Sequence, residues 1–110
     1  MLLQTLFLQK NGLISLPNSI GLLRNLETFN ISGNQLTSLP ITFQDCTKLR
    51  YLDASNNQLS HVHSLEHCQN IERLNLECNP LLEHPSYLVP LLQNLREFKM
   101  NSSPTGSQQS

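Results

Sequence analysis

His61, His63, His67 and Cys68 are the densest set of metal-ligand types in the chain, and four such ligands would suffice for a tetrahedral zinc site. Their placement argues against that use. Cys68 stands three residues before an apolar residue, Ile71, just as Leu23 precedes Leu26 and Cys46 precedes Leu49, so the two cysteines fill a leucine slot. His61 and His63 flank the apolar Val62 and are expected to face solvent, and His84 has no cysteine or acidic pair beside it. Cys46, Cys68 and Cys78 are an odd set without CxxC spacing, which fits neither a disulfide framework nor a zinc knuckle and suits a reducing compartment. No basic residue is placed by sequence to activate Cys78 as a nucleophile. Gly12, Gly21, Gly33 and Gly106 are isolated from one another, and no phosphate loop, GxSxG elbow, HExxH pair or EF-hand loop occurs. The expectation is a protein without enzymatic activity, metal or cofactor.

Composition narrows the remaining classes. With 110 residues there is room for one small domain. Seven Lys and Arg against eight Asp and Glu leave a net charge of -1, so no global field draws in nucleic acid or an anionic membrane surface. The apolar start Met1, Leu2, Leu3 is interrupted by Gln4, Gln9, Lys10 and Asn11 before a signal-peptide core or a span of ~20 apolar residues develops. A soluble, non-secreted protein is expected, cytoplasmic with the nucleus as an alternative, and without nucleic-acid or membrane partners. Asn30-Ile31-Ser32 and Asn101-Ser102-Ser103 match the glycosylation acceptor pattern, which acquires meaning only in a secreted protein.

Leucine supplies 23 of the 110 residues, and this bias has a period. Cutting at Leu3, Leu26, Leu49, Ile71 and Leu95 gives steps of 23, 23, 22 and 24 residues. Each segment opens with apolar residues at its first, fourth and sixth positions, and four of the five carry asparagine at the ninth. The first reads Leu3, Leu6, Leu8, Asn11; the second Leu26, Phe29, Ile31, Asn34; the third Leu49, Leu52, Ala54, Asn57; the fourth Ile71, Leu74, Leu76, Asn79. The fifth begins Leu95, Phe98, Met100 and has Ser103 in the ninth place. Apolar residues two apart share one face of a strand, which turns the third and fifth positions to the opposite face. After the asparagine the spacing changes to i, i+4, i+7 at Leu16, Ile20, Leu23 and again at Leu39, Phe43, Cys46, and Pro17 and Pro40 stand where such a helical turn would begin.

The string LxxLxLxxNxL resembles the signature of the leucine-rich repeat family over residues 3 to about 100. The resemblance implies an α/β solenoid with parallel strands on a concave face and short helices or turns on a convex one. Leu16-Pro17-Asn18-Ser19-Ile20 and Leu39-Pro40-Ile41-Thr42-Phe43 are similar to the LPxxI repeats of intracellular Ras-pathway scaffolds and cell-polarity adaptors. The run Asn57, Leu59, Val62, Leu65, Cys68 is similar to the shorter repeats of phosphatase-regulatory and spliceosomal proteins. The stretch from Asn79-Pro80-Leu81-Leu82 through Tyr87, Leu91, Leu92, Leu95 and Phe98 resembles that group's C-terminal cap, with Val89-Pro90 dividing its helix. The organisation expected is a repeat array over 1–100, with about four full repeats and a terminal cap strand, and a disordered polar tail over 101–110.

One short strand and a turn are not stable alone, so the array must be the cooperative unit. Asn11, Asn34, Asn57 and Asn79 are expected to form an internal ladder, because a carboxamide offers donors and acceptors to buried backbone where the chain leaves the strand. Nothing resembling a cap precedes Leu3, so the reading includes either a piece of a longer array or self-association through that strand edge. Function should lie on the open strand face, whose columns read Thr5, Thr28, Tyr51, Arg73, Glu97 and Phe7, Asn30, Asp53, Asn75, Lys99. Within it Phe7, Asn30, Tyr51, Asp53, Arg73, Asn75 and Lys99 are the candidate contacts for another protein, with Tyr51 and Arg73 of the types that dominate binding energy. A plain solvated face would give similar columns. The expected role is an intracellular signalling scaffold or adaptor; the alternatives are a regulatory subunit docking on a phosphatase or RNA-processing partner, or a piece of a longer array.

Overall fold

The structure, a computed structural model, describes residues 3–81 and 95–100. Each segment contributes one three-residue strand: β1 Thr5–Phe7, β2 Thr28–Asn30, β3 Tyr51–Asp53, β4 Arg73–Asn75 and β5 Glu97–Lys99. They form one parallel sheet in chain order, β1-β2-β3-β4-β5. The register follows the repeat, with Leu6 opposite Phe29, Leu52 opposite both Phe29 and Leu74, and Phe98 completing the row. Parallel pairing of successive strands requires the chain to cross behind the sheet after every strand, and the segment between repeats supplies that crossing.

The core is a stack of the repeated apolar positions. Leu26, Ile31, Leu49, Ala54 and Ile71 are fully buried, with Phe29, Leu52, Leu74 and Leu76 at 2% exposure or less. In the first rung Leu6 and Leu8 are only half-buried and Leu3 is exposed. Behind the sheet, Leu36, Phe43, Leu59 and Leu65 close the same core, and the Phe29 and Phe43 rings lie 5.9 Å apart.

The back of the repeat is built from 3-10 helices, Asn18–Leu22, Ile41–Asp45 and His63–Leu65. Pro17 and Pro40 cap the first two with extended backbones, φ -71° and -65°, and their carbonyls accept the Ile20 and Phe43 N–H groups. The spacing Leu16, Ile20, Leu23 is thus met by a tighter coil than an α-helix, which rises further per residue and crosses the back of a rung in fewer residues. Gly21 belongs to the closest approach between these coils: a Cβ there would lie 2.7 Å from the Thr42 carbonyl oxygen.

The asparagines of the second to fourth rungs are buried and join rungs together. The Asn34 Nδ2 donates to the carbonyls of Leu8 (3.0 Å) and Ile31 (2.9 Å), while its Oδ1 accepts the N–H groups of Asn11 (2.9 Å) and Leu13 (3.0 Å). Asn57 donates to Ile31 and Ala54 and accepts from Leu36; Asn79 donates to Ala54 and Leu76 and accepts from Leu59. Asn11 departs from the expected internal ladder. It is exposed, and its Nδ2 donates only within its own rung, to the Leu8 and Gln9 carbonyls.

The residue before each asparagine has a left-handed backbone: Lys10 φ 59°, Gly33 φ 69°, Asn56 φ 56° and Cys78 φ 59°. Glycine and asparagine suit this region, whereas lysine and cysteine adopt it at a cost that the surrounding bonds must offset. The proposed cap helix, His84 and the tail over 101–110 lie outside the described residues.

Candidate functional site

Positions three and five of every repeat point away from the core, and across five adjacent strands all of them but Thr5 line one groove of about 250 Å³. Phe7, Asn30, Tyr51, Asp53, Arg73, Asn75 and Lys99 all border it, with Thr28 and Glu97 between them and Phe29, Leu52 and Leu74 as its floor. The first two rungs contribute uncharged groups, including a Phe7 ring that is 60% exposed. The last three carry every charge in the groove.

Tyr51 is held at the centre of the face. The guanidinium carbons of Arg50 and Arg73 lie 5.2 and 5.4 Å from its ring centroid, within cation-π range. Arg50 is itself fixed, its Nε donating to the Glu72 carboxylate at 3.0 Å, with Glu27 at 3.9 Å on its other side. Glu72 also meets Arg96 at 3.4 Å, so the second repeat position forms a ladder of alternating sign, Glu27, Arg50, Glu72, Arg96. The hydrogen bond from Arg50 holds the Glu72 carboxyl below the ordinary carboxylate range, and the charges of Arg50, Arg96 and Arg73 act in the same direction. This ladder is readable once the second positions are aligned, and the strand pattern alone does not reveal it. Arg73 lies 3.8 Å from Glu97, which also meets Lys99 at 3.4 Å.

The fifth-position column is more regular than its sequence suggests. The Oδ1 atoms of Asn30 and Asp53 accept the N–H and the hydroxyl of Ser32 and Ser55, and the Oδ1 of Asn75 accepts the Glu77 N–H. An Asx side chain bonding two residues ahead shapes the exit from the strand, and Asn-x-Ser and Asp-x-Ser are sequence signals for it. These residues therefore serve the repeat as well as the face.

The histidine and cysteine candidates are kept apart. Cys46 and Cys68 are fully buried, and their Sγ atoms donate to the carbonyls of Ile20 and Phe43 in the preceding rung, each at 3.5 Å. Burial pushes the Cys68 thiol up to about 12, and burial with the Asp45 charge raises that of Cys46. His61, His63 and His67 are exposed, the first two with rings 5.2 Å apart and the third 3.7 Å from Glu66. Among the described residues no group of three or more His, Cys, Asp or Glu could hold a metal ion, and no helix is long and apolar enough to cross a membrane.

A family model described as leucine rich repeat matches residues 2–59. The chain belongs to the leucine-rich repeat family. It is similar to the mouse leucine-rich repeat and WD repeat-containing protein 1, 36% identical over 96 residues that cover 83% of this chain and 14% of that protein. It is similar also to the human PH domain leucine-rich repeat-containing protein phosphatase 1, 32% identical over 96 residues, covering 84% of this chain and 6% of the relative. Among solved structures it is similar to a leucine-rich repeat protein of Leptospira interrogans, with a TM-score of 0.75 and 32% identity over 90% of this chain and 25% of that one. The chain thus spans a small part of the length of each. Leucine-rich repeats are protein-interaction modules, and their fold is generally non-enzymatic.

Proposed function

We propose that the concave groove of β1–β5 holds a short helix or extended segment of another protein, the chain serving as an intracellular scaffold or adaptor in signalling. The observation that carries this reading is that the Tyr51 ring, at the centre of one groove, has two guanidinium groups in cation-π range. An aromatic ring fixed before binding loses little side-chain freedom when a partner covers it, so its buried area is retained as affinity. The face spans five strands at ~4.8 Å spacing, about 20 Å, which accommodates a helix or peptide and is small for a broad interface. Three cysteines outside any disulfide, two of them buried, support a reducing, cytoplasmic setting. Affinity purification from the native cell tests the proposal, comparing the wild type with a Tyr51→Ala, Arg73→Ala double variant. Unchanged recovery of the same partner by the variant would remove the concave-face reading.

Similarity to a protein named as a phosphatase favours a second reading, docking on a phosphatase, which the identity of the recovered partner separates from the first. The exposed Phe7 on edge strand β1, with exposed Leu3 just before that strand, supports self-association through that edge, and sedimentation showing a monomer across the accessible concentration range would count against it.

A further inference from the structure

Three rungs carry an Asx side chain at the fifth position and use it for the same bond. Asn30, Asp53 and Asn75 each accept, through Oδ1, the N–H two residues ahead, at 3.0, 3.1 and 3.0 Å. The two asparagines show that a carboxamide oxygen shapes this turn as well as a carboxylate does. The negative charge of Asp53 is therefore surplus to the turn.

That charge also enters no ion pair among the described residues. Of the two acids lining the groove, Glu97 lies between Arg73 and Lys99, whereas Asp53 has no cationic nitrogen within 4 Å among the described residues. Asp53 is half-buried at the centre of the sheet, unlike the exposed Asp45 and Glu77. Its Oδ2 makes no hydrogen bond among the described residues, and the same holds for the Nδ2 of Asn30 and of Asn75 on the strands either side. A half-buried carboxylate with no cation in contact and one oxygen uncommitted can take up a cation delivered by a ligand without giving up a bond of the fold.

We propose that Asp53 is the receptor for a lysine or arginine side chain of the segment that docks in the groove. The inference rests on the concave-face reading and adds the chemistry of the partner. A helix advances 5.4 Å per turn against ~4.8 Å per strand, so a helix lying along the array sets about one residue on each rung. With its basic residue over Asp53 on β3, the same face of that helix meets Phe7 on β1 two turns away in one direction and Lys99 on β5 two turns away in the other. The partner segment is therefore apolar, then basic, then acidic along one helical face.

Amide NMR titration of the full chain with three alanine-rich helical peptides tests this. The peptides share a leucine two turns before the centre and a glutamate two turns after it, and differ only in a central lysine, glutamine or glutamate. The lysine peptide is expected to move the amides of Asn30, Asp53 and Asn75 and to bind about tenfold more tightly than the glutamine peptide, with the glutamate peptide weakest. Asp53→Asn, which keeps the Ser55 bonds as Asn30 keeps those of Ser32, should erase the lysine preference without changing the melting temperature. If the peptides move the concave-face amides but Asp53→Asn binds the lysine peptide as well as the wild type does, the role of Asp53 falls and the groove reading stands. If none of the three moves a concave-face amide, both fall.

Discussion

Two columns of Asx residues, four residues apart, run through the second to fourth repeats, and their surroundings give them different work. At the ninth position Asn34, Asn57 and Asn79 use both ends of the carboxamide, Nδ2 on carbonyls of two rungs and Oδ1 on N–H groups of the preceding one. At the fifth position Asn30, Asp53 and Asn75 commit only Oδ1, to their own rung. A fully committed buried carboxamide tolerates neither aspartate nor alanine, because each change strands buried partners. A half-committed one at the surface of a groove accepts either Asx residue and keeps an atom for a ligand. The difference between scaffold and site is thus set by how many polar atoms the fold leaves over.

The largest expected effect breaks the buried column. Asn57→Ala should lower stability by about 3 kcal/mol in urea unfolding, since it strands the buried Leu36 N–H and leaves the Ile31 and Ala54 carbonyls with only the Asn34 and Asn79 donors. The same change at exposed Asn11 should cost less than about 1 kcal/mol, and equal costs at the two sites would undo the contrast. On the open face, Tyr51→Ala and Arg73→Ala should each weaken the partner by ~2 kcal/mol, measured by calorimetry, with unfolding midpoints close to wild type. Gly21→Ala should destabilise by about 2 kcal/mol without touching either column, because its Cβ meets the Thr42 carbonyl oxygen. Exchange within the fifth column is expected to be nearly silent: Asn75→Asp should change stability by less than about 0.5 kcal/mol, whereas Asn57→Asp should approach the alanine cost.

The thiols add a pH dependence. With the Cys68 thiol raised to about 12 in the fold, folded and unfolded chains hold that proton equally below the ordinary thiol range. Above it the unfolded chain ionises first, so stability should fall as pH rises from about 9 towards 12. A thiol reagent at pH 8 should modify exposed Cys78 in the folded protein and reach Cys46 and Cys68 only on unfolding.

The strands were legible because a buried sheet face imposes a period of two, and Leu6, Phe29, Leu52, Leu74 and Phe98 obey it in every segment. The candidate face followed from the same alternation, since positions not facing the core had one other direction to face. The back of the repeat was less legible: the spacing of Leu16, Ile20 and Leu23 suits any helical turn, and only the room between rungs selects a 3-10 coil. The need for Gly21 depends on Thr42 in the next rung, a contact that no local window contains. The left-handed eighth position shows openly at Gly33 and Asn56 but is disguised at Lys10 and Cys78, where repeat geometry overrides residue preference. The bonds accepted by Asn30 and Asp53 had a signal in the serine two residues ahead of each, and it is recognised as structural once the turn is seen.

The ladder has a direction in time. The turn that leaves Leu8 has its Asn11 and Leu13 amides satisfied by Asn34, which a ribosome adds more than twenty residues later. Each of the first three turns of the nascent chain therefore stays open until its successor emerges, and synthesis cannot complete one of these repeats before delivering the next. A chain stalled at any of them would end in an unfinished rung.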